Sequence, residues 1–123
     1  MFLRNRKPNS GVYMHNQTIA RIEQEIQSNR NMPEDKKNEL LSLISQLKME
    51  MGDLDEEHHE DAKSIASFTE TSLHEATREQ KDPELLKHSL NGLSLSVRRF
   101  EVSHPVLVNL INNIGNTLWN IGI

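Results

Sequence analysis

Residues 85–123 read LLKHSLNGLSLSVRRFEVSHPVLVNLINNIGNTLWNIGI, and their apolar positions decide the fold. Leu86, Leu90, Leu93, Val97, Phe100, His104, Leu107, Ile111, Ile114, Leu118 and Ile121 recur at alternating steps of four and three. That spacing holds one stripe on one side of a helix, with His104 its single polar member. A heptad seam of this kind predicts helices packed on helices, an all-α fold. Pro105 lies inside the register, where it removes an amide donor and crowds the carbonyl of Glu101. It also biases His104 away from helical dihedrals. One kinked rod and a hairpin of two helices both fit, and the capping residues favour the hairpin, turning at Ser103-His104-Pro105. Ser103 is placed to cap the second helix by accepting the Val106 N–H, with Val102 and Leu107 as a hydrophobic staple across the turn.

From Pro105 to Ile121 no residue is charged. Leu107, Leu110, Ile111, Ile114, Leu118 and Ile121 fill one arc of the helix, and Asn109, Asn112, Asn113, Asn116 and Asn120 fill the opposite one. A surface helix ordinarily carries Lys and Glu there, so this face reads either as solvated or as covered by another chain. Trp119 stands at the flank, one turn beyond Gly115, where a missing side chain permits close approach. It reads as core packing before it reads as an interface anchor.

Upstream, Asp82 and Pro83 supply a cap and a first-turn proline. A third helix carries Ala62, Ile65, Phe68 or Thr69, Leu73 and Ala76 before that restart. The run DLDEEHHED, residues 53–61, follows Gly52 and would put His58 and Asp61 on a continuous seam, which predicts a break. A second helix with Leu40, Ile44, Leu47, Met51 and Leu54 on one face begins with Asn31 and Glu34 as a capping box and Pro33 in its first turn. A short first helix, capped by Asn16, carries Ile19, Ile22 and Ile26. Residues 1–13 have no apolar period and are expected to form a disordered basic arm, leaving residues 14–123 as a single helical domain of four to five helices in a small antiparallel bundle.

Composition narrows the function. With 35% hydrophobic and 4% aromatic residues among 123, the core must be built from Leu, Ile, Val and Met. Cysteine is absent, so disulfides and thiolate metal sites are excluded. The formal net charge is −4: Arg4, Arg6 and Lys7 face no acid in the arm, and residues 14–123 hold 11 bases against 18 acids. An acidic body argues against a duplex-binding surface, leaving the arm as a weak, salt-dependent alternative for nucleic acid. No apolar run reaches the ~20 residues of a membrane span, and no secretory h-region opens the sequence, so the expectation is a cytoplasmic protein. His58, His59, Glu60 and Asp61 tempt a metal assignment. Adjacent histidines on a helix point about 100° apart, however, and the cluster reads as a solvated linker. His104 reads as a hydrogen-bonding residue at a helix end rather than a titrating switch. No phosphate loop, nucleophile elbow or separated carboxylate pair occurs, so neither catalysis nor a cofactor nor a small-molecule substrate is expected.

The tail FEVSHPVLVNLINNIGNTLWNIGI resembles the C-terminal signature of a family of short bacterial proteins, domain of unknown function 4404. The matching positions are Phe100, Glu101, Ser103, His104, Pro105, Leu107, Leu118, Gly122 and Ile123. The resemblance implies a small bacterial helical protein and brings no activity, cofactor or catalytic residue. The basic arm and the Asn-rich face depart from the family's pattern.

Three heptad seams with few aromatics are more naturally closed by a partner's seam than by one small core. The expected function is therefore a self-associating adaptor or regulatory scaffold without catalytic activity, a homo-oligomer with a dimer favoured. Its expected contact surface is Leu86, Leu90, Leu93, Val97, Phe100, His104, Leu107, Ile111, Ile114, Leu118, Trp119 and Ile121. Peripheral membrane binding through the last helix is an alternative, weakened by a polar face without Lys or Arg.

Overall fold

Five helices form where the apolar spacing puts them: α1 (Ser10–Ser28), α2 (Glu34–Gly52), α3 (His59–Thr77), α4 (Pro83–Ser96) and α5 (Pro105–Gly122), with 3₁₀ turns at Glu56–His58 and Arg98–Phe100. The computed structural model describes residues 10–54 and 56–123, and side chains from residue 16 onward. The protein is all-α, a small helical bundle. The expected disordered arm lies mostly outside the described residues, including Arg4, Arg6 and Lys7. Its last four positions, 10–13, are helical.

Two of the expected boundaries hold. The Asp82 carboxylate accepts the Leu85 N–H at 3.2 Å with Pro83 in the first turn of α4, and the second helix stops at Gly52. Three others move. Asn16 is interior to α1, which begins at Ser10. The α1–α2 turn is closed by Asn29 rather than by an Asn31 capping box. The Asn29 side-chain oxygen accepts the N–H groups of Asn31 and Met32, both at 2.9 Å, and Pro33 becomes the cap of α2 without a side-chain hydrogen bond. The seam's hairpin turns earlier than its Ser-His-Pro sequence implies. Helix α4 ends at Ser96, and Val97 and Phe100 are buried in the joint itself. There the Phe100 N–H donates to the Val97 carbonyl at 2.9 Å and the His104 N–H to the Phe100 carbonyl at 2.8 Å. This turn swings Val102 into solvent, 95% exposed, so no staple forms. His104 rather than Ser103 is the cap of α5.

The chain alternates direction. Lys81, between α3 and α4, donates from Nζ to the Ala76 carbonyl at 2.7 Å and the Ile121 carbonyl at 3.3 Å, so the C-termini of α3 and α5 share one end of the bundle. His58, before α3, meets Phe100, before α5, at the other end. Consecutive helices joined by short connections therefore run antiparallel. Helix α2 packs on α1 and α5, α4 packs on α3 and α5, and α3 packs in addition on α1 and α5.

Helix α3 packs on α1, α4 and α5, and its buried face is small: Ala62, Ala66, Thr69, Ser72 and Ala76 accompany only Ile65 and Leu73. Of the two expected alternatives, Thr69 is the core residue. Its hydroxyl donates to the Ile65 carbonyl at 2.7 Å, while Phe68 is partly exposed and lies over Gly92, where a Cβ would come within 2.3 Å of the ring. One cluster of buried side chains, from Ile19 of α1 to Leu118 of α5, joins all five helices.

Phe100 is 1% exposed and is the largest fully buried side chain among the described residues, so Phe100→Ala should lower stability by about 3–5 kcal/mol. Ser72 is fully buried and its hydroxyl has no hydrogen-bond partner among the described residues. Replacing Ser72 by Ala removes an unsatisfied group and should leave stability unchanged or raise it by up to ~1 kcal/mol. Urea unfolding midpoints followed by circular dichroism check both outcomes.

Candidate functional site

The structure closes the seam inside a single chain. Leu86, Leu93, Val97, Phe100, Leu107, Ile111, Ile114 and Leu118 are buried, while Leu90, His104, Trp119 and Ile121 are half-buried. These twelve positions thus divide between core and rim, and Leu90 and Trp119 are among those that keep some exposure. The reason is the narrow face of α3, which lets the aliphatic seams of α4 and α5 close on it without large side chains.

The histidines serve the joint. The Phe100 ring is held edge-to-face by His58, with centroids 5.1 Å apart, and by His104, at 5.4 Å. His58 Nδ1 lies 3.4 Å from Asp61 Oδ2, which also accepts from Arg99 at 3.4 Å. His59 turns the other way, its Nδ1 at 2.8 Å from the Glu56 carbonyl. The ring of His104 pairs with the Ser103 hydroxyl at 2.9 Å rather than with a backbone group. Among the described residues no three His or carboxylate side chains are grouped to hold a metal ion. Asp55 lies outside those residues.

Charged groups link helices in pairs. Arg21 of α1 makes a bidentate contact with Glu70 of α3, Nε to Oε2 at 3.0 Å and Nη2 to Oε1 at 3.1 Å, and Glu70 holds the guanidinium pKa above its ordinary value. Glu25, one turn on, has its carboxyl pushed up by burial first and by the Glu70 carboxylate second, against the opposing pull of His74 and Arg21. Thr117 of α5 donates to Glu39 of α2 at 2.6 Å. At the end of the bundle where Lys81 sits, a cleft of about 210 Å³ opens between the α1–α2 turn, Arg78, Lys81 and Ile121. Its cations are committed to the fold: Arg78 donates to Glu75 at 2.8 Å, and Lys81 closes two helix C-termini.

The remaining exposed feature is the outside of α5. Asn109, Asn112, Asn113, Asn116 and Asn120 are all exposed, with Val106 beside them and Gly115 and Trp119 half-buried at the edge toward α4. Two depressions run between α4 and α5 along that edge. One, of about 180 Å³, includes Leu90, Ser94, Asn112, Gly115 and Asn116, and the other, of about 170 Å³, includes Ser94, Leu95, Val108 and Asn112 together with the charged Arg98 and Glu101 of the α4–α5 joint. Shared Ser94 and Asn112 join them into one groove, walled by amides toward Asn116 and by Arg98 and Glu101 at the end near the joint. The Asn face was legible from the periodicity. Leu95 and Val108 were not, since both lie off the seam, and the available signal was an apolar residue next to it: Val108 follows buried Leu107, and Leu95 lies midway between buried Leu93 and Val97.

Residues 50–123 match the model of a family described as Domain of unknown function (DUF4404). The chain belongs to that family. Neither a curated protein nor a solved structure matches it. The DUF4404 match spans the end of α2 and all of α3, α4 and α5, leaving α1 and most of α2 outside. Within it, the signature residues serve the fold: Phe100 fills the joint, His104 leans on its ring, and Pro105 opens α5. Gly122 lets α5 close on its neighbours, for a Cβ there would meet Leu86 Cδ2 at 2.4 Å and Ala76 Cα at 3.0 Å. Glu101 and Ile123 are exposed.

A carboxyl whose pKa is raised by folding stabilises the native state only where it is protonated, and that contribution is lost as pH rises through the folded value. At neutral pH the ionised Glu25 therefore opposes folding. Glu25→Gln should raise the thermal midpoint at pH 7, and the gain should vanish near pH ~3, where the carboxyl is protonated in both states. Thermal melts across that range test the sign.

Proposed function

We propose that this protein is a non-catalytic binding module, an adaptor or scaffold that holds protein partners on the outer face of α5 and the groove it shares with α4. One observation supports the reading above others: the 18 residues of α5 carry no charge, whereas α1, α2, α3 and α4 each expose Lys, Arg, Asp or Glu. Protein interfaces are depleted in Lys, Glu and Asp at their centres, and a solvated helix has no reason to be. Half-buried Trp119 and exposed Leu95 and Val106 supply apolar anchors around the amides. The uncharged face also weighs against a lipid surface, which draws helices through Lys and Arg.

A photo-crosslinking benzoylphenylalanine placed at Asn112, compared with one at exposed Asn38 on α2, tests this reading in the host cell. Discrete protein adducts are expected from position 112 and none from position 38. No adduct from position 112, or equal adducts from both, overturns it.

A further inference from the structure

We propose that the occupant of this face is a second copy of the chain, packed about a two-fold axis with the two α5 faces against each other. The inference rests on the reading of the α4–α5 face as a contact surface and adds the identity of what covers it. A two-fold contact sets a surface against itself, and near the axis each residue meets its own counterpart. Any charge there repels its copy. In a chain of formal net charge −4, α5 is the helix on which that repulsion does not arise, and the charges that border its groove, Arg98 and Glu101, are of opposite sign and can pair across the axis.

The amides go further than neutrality. A Lys or Glu needs an unlike partner, but an Asn side chain carries both donors and an acceptor and is its own complement. Asn112 and Asn116, which line the groove, can each pair with the same residue of the second copy, as a core Asn pair fixes register between identical coiled-coil strands. The groove has room for a close approach: a Cβ at Gly115 would meet only Leu90 Cδ2, at an ordinary 3.8 Å. The area fits weak association. Helix α5 is about 27 Å long and the face with its groove roughly 20 Å wide, a footprint of about 540 Å² per partner, below the ~800 Å² of a standard interface and in the range of transient contacts.

The test uses the full chain in analytical ultracentrifugation across the micromolar range. The wild type should show a concentration-dependent mass rising to that of two chains. Paired variants N112K/N116K and N112D/N116D should each weaken the dissociation constant at least about tenfold, a change of ~1.4 kcal/mol. An equimolar mixture of the two should associate again, since opposite charges then face each other. Gly115→Leu should also abolish association while leaving the thermal midpoint near that of the wild type, because the added side chain fills the groove and no core space. A wild type that stays at the mass of one chain, or charge variants that associate as the wild type does, overturns the proposal. If the wild type is monomeric while crosslinking from position 112 captures a different protein, the second copy is wrong and the contact face stands. Absence of both removes both.

Discussion

The smallness of one helix face sets the arrangement of the others. Along its buried side α3 presents Ala62, Ala66, Thr69, Ser72 and Ala76, and these short side chains let α1, α4 and α5 approach it together. Interhelical distance falls with the size of the residues at the contact. A wider α3 would push α4 and α5 away, and the aliphatic seams that now meet would face water. Close approach costs something at single positions. Ser72 is buried without a partner for its hydroxyl among the described residues, and Gly92 and Gly122 must stay bare because Phe68, Leu86 and the Ala76 backbone occupy the space a Cβ would need.

The two ends of the bundle are tied by different chemistry. At one, lysines reach across connections to exposed carbonyls: Lys81 serves Ala76 and Ile121, and Lys37 donates to Gln27 at 3.3 Å. The last carbonyls of a helix have no partner within it and carry partial negative charge, so a cation there satisfies both needs. At the other end the tie is aromatic, with Phe100 between His58 and His104. These contacts join the start of α3 to the α4–α5 joint, elements 42 residues apart in sequence from His58 to Phe100. The acidic stretch before α3 is thereby fixed at His58 although its carboxylates remain at the surface.

Periodicity carried the architecture a long way and failed where the chain turns. Leu40, Ile44, Leu47 and Met51, or Ile19, Ile22 and Ile26, reveal their helix and its inner face because burial repeats with the helical period. Asp82-Pro83 reveals a start because cap and first-turn proline both act within four residues. The Ser103 cap and the Asn31 box were misplaced for a shared reason. Several residues near each turn could have accepted the same amides, and long-range burial of Phe100 and Met32 decided among them. Local capping is worth about 1 kcal/mol, less than burying one large apolar side chain, so the tertiary term wins. Phe68 was ambiguous in the same sense, since only Gly92 on another helix offers its ring a resting place.

The apolar seam is accounted for within the chain, and the reason is physical. Few aromatics and three heptad stripes suggest an unfinished core only if all helices are equally wide. Once α3 is narrow, Leu86, Leu93, Ile111, Ile114 and Leu118 find partners within the chain, and the heptad pattern no longer requires a second one. What then stands out is not apolar periodicity but missing charge. An exposed face gains solubility from Lys and Glu and loses nothing in folding by having them. Helix α5 forgoes them along its whole length while keeping the same inner face as its neighbours. Its outer asparagines stand clear of the core, so packing within the chain does not dictate their identity, and together with Trp119 and the groove toward α4 they form an amide surface where the other helices present charge.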